Sequence, residues 1–124
     1  MRTKFALTAL AGITIGAVAV QAIHAQTKPK VYAVNELQIV NPADIAKQAA
    51  AVEGAVKAAG GRFLATAGGK VTGIDGDAPQ RVVIIEWPNA DAAVQFYKTD
   101  KAFNDGMKIG AIKATRRYAV EAAN

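Results

Sequence analysis

The sequence predicts an α+β domain, with helices packed on one face of a small sheet. Three observations predict it. Apolar residues alternate over Val31–Val40 and run together over Val82–Ile85, which are strand patterns. Helix-start chemistry, Asn41-Pro42 and Pro88-Asn89, follows each of these segments directly. Glycine pairs at Gly60-Gly61 and Gly68-Gly69 mark ends and turns between them. A length of 124 residues, with 52% hydrophobic and 20% charged residues, suits one globular domain.

Residues 1–25 are read apart from that domain, as a secretory signal peptide. Arg2 and Lys4 form a positive start, and Phe5 to Ile23 carries no charge. Small residues follow, ending in Ala25 before Gln26, which is the pattern of a signal-peptidase site. Cleavage after Ala22 is an alternative, because Ile23 sits where a small residue is preferred. Retention as a membrane anchor is another, since the apolar run is 19 residues long. Gly12, Gly16 and the threonines weaken that run, so cleavage is favoured. Without a cysteine for lipid attachment or a twin-arginine pair, the plain Sec route is the simplest. The domain over residues 26–124 is then exported, periplasmic or secreted, with no membrane contact after cleavage.

Removal of the signal takes Arg2, Lys4 and His24, leaving 13 basic residues against 10 acids. The mature chain contains neither Cys nor His. Disulfides, zinc fingers, thiol nucleophiles, Ser-His-Asp triads and histidine-bound metals are therefore excluded, and no metal or cofactor is expected. The scattered basic residues, with Arg116-Arg117 the sole adjacent pair, do not form the stripe that nucleic-acid binding needs.

After a polar lead-in at residues 27–30, Val31 to Val40 reads as a strand. Val31, Ala33, Asn35, Leu37 and Ile39 share one face; Tyr32, Val34, Glu36, Gln38 and Val40 share the other. Asn41 caps a helix with Pro42 first and Asp44 three residues on; Ile45, Ala49, Val52 and Val56 recur along it at helical spacing. Gly60 and Gly61 end it. Arg62 to Ala67 is a short strand, followed by a glycine-rich connection. Gln80 to Trp87 is the strongest strand, and its unbroken Val82–Ile85 predicts burial on both faces. Pro88-Asn89 opens a second helix with Ala93, Phe96 and Tyr97 on one side. Asp100 caps its continuation, with Phe103, Met107 and Ile112 inward. Thr115 to Glu121 is the last strand.

This order, βαββαβ, is the ferredoxin-like arrangement: an antiparallel four-stranded sheet with two helices on one face. The uncovered face carries too many apolar groups for open water. Pairing of two copies, sheet against sheet, would bury them, so a homodimer is expected.

The run GGRFLATAGG, and then IDGDAPQRVVIIEWPNADAAVQFYKTDKAF, resembles a known bacterial family, the domain of unknown function number 1330. The residues that carry the resemblance are Gly60 to Leu64, Gly68-Gly69, Gly76, Pro79, Arg81, the Val82–Pro88 strand with its Glu86-Trp87, and Ala93, Phe96 and Tyr97. Asn41-Pro42 matches the usual Asp-Pro helix start. The resemblance spans about residues 30–122 and implies a dimeric α+β barrel, shared with muconolactone isomerases and small monooxygenases, without implying a reaction. Two features depart from the family pattern: Thr66 stands where an arginine often follows the R-F-L-A run, and an export signal precedes the domain.

Glu86 is the strongest catalytic candidate. A carboxylate among Val82–Ile85 would be partly desolvated and suited to act as a base; equally it could pair with Arg81, Arg62 or Arg116 and tie strands together. Arg62 and Arg81 could clamp an anionic ligand, or form strand-end ion pairs. Tyr32, Trp87 and Tyr97 could line an aromatic pocket, with Glu36 and Gln38 as polar groups on the Tyr32 face. Asp75, Asp77 and Glu86 have calcium-loop offsets, but Pro79 and Gln80 spoil the loop. Gly73–Gly76 leads into a strand and so is no phosphate loop. Three functions remain: a barrel that binds a small, partly apolar molecule; a cofactor-independent isomerase or monooxygenase-like enzyme using Glu86; and an envelope protein-interaction module.

Overall fold

Alternation builds the first strand, β1 (Val31–Ile39), whose odd-numbered positions from Val31 to Leu37 are buried while its even-numbered ones are half-buried or exposed. In the computed structural model residues 28–123 are described; residues 1–25, the cleavage sites and His24 lie outside the described residues. Asn41 then caps a short 3-10 turn, Pro42–Asp44. Its side chain accepts from the Ala43 N–H at 3.2 Å and donates to Asp44 at 3.1 Å. Helix α1 (Ile45–Ala58) follows. Gly60 sits at φ 92°, a left-handed conformation that favours glycine past a helix end. Gly61 allows a close approach: a Cβ there would lie 2.7 Å from Val56 Cγ1 and 2.9 Å from Trp87 Cη2.

Strands β2 (Arg62–Ala65) and β3 (Arg81–Trp87) come next, joined by the glycine-bearing connection. Helix α2 (Ala90–Thr99) is capped by Asn89, whose side chain accepts from the Ala92 N–H at 2.8 Å. The chain then breaks at Asp100 (φ −72°, ψ 115°), whose carboxylate caps α3 (Lys101–Met107) through the Phe103 N–H at 2.8 Å. The second helix is thus two, and among the described residues the sheet carries three α-helices rather than the expected two. The last strand, β4 (Ile112–Glu121), begins three residues earlier than Thr115. Ile112, expected inward on a helix, is instead the first residue of β4, because Gly110 at φ 77° ends the helical segment and Gln48 holds the Ile112 backbone in the strand. Among the described residues no helix is long and apolar enough to cross a membrane.

The four strands form one antiparallel sheet in the order β2-β3-β1-β4, so the α+β, ferredoxin-like βαββαβ arrangement holds. Val31 lies opposite Trp87, and Asn35 lies between Val83 and Arg117. The β1–β4 register shifts once: Arg116 faces Glu36 while Ala114 faces Leu37, so Thr115 is an extra residue in β4. Its hydroxyl donates to the Glu36 carbonyl at 3.0 Å.

The helices cover the face that bears Val31, Ala33, Leu37, Val83, Ile85 and Trp87, all buried. Trp87 anchors an aromatic cluster, with its ring centroid 4.7 Å from Phe96 and 6.3 Å from Tyr97. The opposite face carries Tyr32, Val34, Val82, Ile84 and, exposed, Tyr118 and Val120. The expected two-sided burial of Val82–Ile85 is therefore corrected for the single chain: Val83 and Ile85 are buried, whereas Val82 and Ile84 are half-buried because no layer among the described residues covers them.

Candidate functional site

Between the covered sheet face and helices α1 and α3 lies a cavity of about 90 Å³. Its walls are mainly apolar, with Leu37, Phe63 and Val83 from the sheet and Val52, Phe103 and Met107 from the helices. Polar side chains line it as well, among them Asn35, Gln48, Tyr97 and Arg117. Glu53 and Thr66 stand at its lining, Glu53 already paired with Lys57 at 2.7 Å.

Each polar group has a distinct state. Asn35 is buried and donates to the Val83 carbonyl at 3.1 Å, while its Oδ1 accepts from Arg117 Nε at 2.9 Å. Gln48 is buried, with both ends of its amide bonded to the Ile112 backbone. The Arg117 guanidinium lies 5.1 Å from the ring centroids of both Tyr97 and Phe103. Arg117 is exposed as a whole residue, but desolvation of its guanidinium by the surrounding rings and strands lowers its pKa, against the opposing pull of Tyr97. The Tyr97 hydroxyl and the indole N–H of its neighbour Trp87 are both buried, and neither has a hydrogen-bond partner in good geometry. Burial raises the Tyr97 pKa, with Asn35, Trp87 and the Arg117 charge pulling the other way, so the phenol is neutral near pH 7. A buried polar atom without a partner is uncommon, and a bound ligand or water is one way to satisfy it.

The structure separates the residues singled out from the sequence. Tyr97 lines the cavity and Trp87 packs behind it. Tyr32, Glu36 and Glu86 lie on the other face of the sheet, because their positions alternate with the buried ones. Tyr32 therefore does not share a pocket with Trp87 and Tyr97. Gln38 is exposed near the end of β1 on that same outer side. Glu86 accepts from Arg62 Nε at 3.0 Å across β2–β3, the strand-tying arrangement among the alternatives. Arg81, at the start of β3, bonds its own neighbour's carbonyl, that of Gln80, at 3.4 Å. Among the described residues no group of His, Cys, Asp and Glu side chains could hold a metal ion.

On the outer face Arg116 grips Glu36 with two nitrogens, each 3.0 Å from a carboxylate oxygen. The Arg116 hydrogen bonds lower the Glu36 pKa despite the opposing effect of burial. The stability this pair lends is complete above the ordinary carboxylate pKa of about 4.3 and is lost as pH falls through the lower folded-state value. Between pH 5 and pH 2 the wild type should therefore lose more stability than Glu36→Gln does. Denaturant midpoints measured across that range check it; parallel losses would show that the pair lends nothing.

Arg117 is the site residue that the sequence did not reveal. Its neighbour Arg116 has the same chemistry, and only the extra residue Thr115 turns Arg117 rather than Arg116 toward the helices.

The model of the family described as "Domain of unknown function (DUF1330)" matches residues 30–121. Two crystal structures have a similar fold, each at 16% sequence identity. One is of the methylated RPA0582 protein, with TM-score 0.54, covering 87% of this chain and 91% of that one. The other is of the RPA0582 protein of unknown function from Rhodopseudomonas palustris, with TM-score 0.53, covering 87% of this chain and 93% of that one. No curated protein matches the chain.

Proposed function

The chain belongs to the DUF1330 family, and from that premise we propose that it is an exported, homodimeric α+β barrel protein that binds a small, partly apolar molecule. The observation that carries the binding reading is the buried Tyr97 hydroxyl, without a partner, at the wall of an apolar cavity. The lining, apolar with a few convergent polar groups, is that of a small-molecule site, in a cavity smaller than most such sites. The enzyme reading through Glu86 is less favoured, since Glu86 is engaged by Arg62 on the face away from the cavity. The dimer reading draws on the outer sheet face, where exposed Leu64, Tyr118 and Val120 would be buried against a second copy. That reading is preferred to docking of a different envelope protein, because it needs no further partner.

Native mass spectrometry of the protein exported from its own host tests all three parts. The expected species has twice the mass of residues 26–124 plus a constant small-molecule increment. A bare monomer overturns the dimer. A mass still containing residues 1–25 overturns cleavage. A dimer with no increment, unchanged after incubation with candidate small molecules, overturns binding.

A further inference from the structure

Among the described residues Arg81 and Arg117 are the sheet arginines without an acidic partner, and of the two Arg117 lines the cavity. Arg62 and Arg116 each hold a carboxylate, Glu86 and Glu36. Among the described residues Arg117 has no acidic partner; its one hydrogen bond runs from Nε to Asn35. Asn35 is itself pinned to Val83, so the plane of the guanidinium is fixed by a buried amide and by two aromatic rings. The pair of Nη nitrogens is left without a protein acceptor. Arg117 is also the one cation in the cavity lining, and it borders the two grooves that adjoin the cavity.

A preorganised guanidinium without a counter-ion, at the wall of an apolar cavity, is the complement of a monoanion with a hydrocarbon body. We infer that the ligand is a small monocarboxylic acid: its carboxylate lies on the Nη edge of Arg117, with the Tyr97 hydroxyl as a further donor, and its hydrocarbon part lies toward Leu37, Val83 and Met107. This inference rests on the binding reading above. One guanidinium balances one negative charge, which suits a carboxylate better than a phosphate dianion. The 90 Å³ volume favours a short acyl chain. It is smaller than the cavity of about 150 Å³ that admits benzene, which points to an acyl chain of about four carbons.

The test uses the full chain, labelled with nitrogen-15, titrated separately with butyrate and with its neutral isostere butyramide while amide shifts are followed. Butyrate should bind at least tenfold more tightly than butyramide, with shifts centred on Asn35, Tyr97 and Arg117. Arg117→Gln should abolish that preference, so that butyrate and butyramide then bind with equal affinity. Equal affinities in the wild type, or a butyrate preference that survives Arg117→Gln, overturns the carboxylate inference and leaves the apolar cavity as a binding site. No shift of cavity amides with either compound overturns both. Should Arg117→Gln fail to fold, the wild-type comparison decides the question without it.

Discussion

Trp87→Ala should lower the unfolding free energy by about 3–5 kcal/mol, the range for deleting a buried large aromatic side chain. Trp87 is 1% exposed and ties β3 to α2 through Phe96 and Tyr97. Gly61, just before β2, also approaches it with no room for a Cβ. The void would sit where sheet and helices meet, and close packing around it limits collapse. Domains of this size have roughly 5–15 kcal/mol in all, so the variant would stand near the edge of folding. Trp87 is the chain's only tryptophan, so denaturant unfolding should be followed by circular dichroism. Trp87→Phe should lose clearly less, because it keeps most of the ring contacts. A loss below about 1 kcal/mol for Trp87→Ala would show that the aromatic cluster is not the centre of the core.

Gln48→Leu should cost about 2–4 kcal/mol, although leucine is apolar and of similar size. The Gln48 side chain is 1% exposed, accepts from the Ile112 N–H at 2.8 Å and donates to the Ile112 carbonyl at 3.1 Å. The variant leaves a buried backbone donor and acceptor without partners, at about 1–3 kcal/mol each before relaxation. The damage should be local as well as global. Amide exchange at Ile112 should speed up more than at β1 residues, because the side chain of α1 is what fixes the first residue of β4. If stability falls by less than about 0.5 kcal/mol and Ile112 keeps its protection, the Gln48 clasp is not what seats β4.

The two variants also divide what sequence patterning can show from what it cannot. Trp87 lies in a run whose apolar density already marks a core strand. Gln48 lies three residues after Ile45 and four before Val52, on the apolar face of α1, but nothing in its neighbourhood announces which backbone it clasps there. Its role depends on a segment 64 residues away. The same holds for Asp100, which reads as a cap but whose extended backbone actually divides one helical stretch into two.

The sequence by itself determined the strand and helix order, the caps at Asn41, Asn89 and Asp100, and the alternation that separates Asn35 from Glu36. These are local: they follow from period, cap chemistry and backbone freedom within a few residues. The candidate site was only partly of this kind. Tyr97 is inward on its helix by spacing alone. Which carboxylate meets which arginine, however, depends on the cross-strand register, so Glu86 with Arg62 and Glu36 with Arg116 were decided by the sheet. Arg117 shows the limit most plainly. Two adjacent arginines look alike in sequence, but one extra residue at Thr115 shifts the pleat by half a period. That shift sends Arg116 to the outer face and Arg117 to the cavity, because a strand's side-chain direction reverses with every residue inserted.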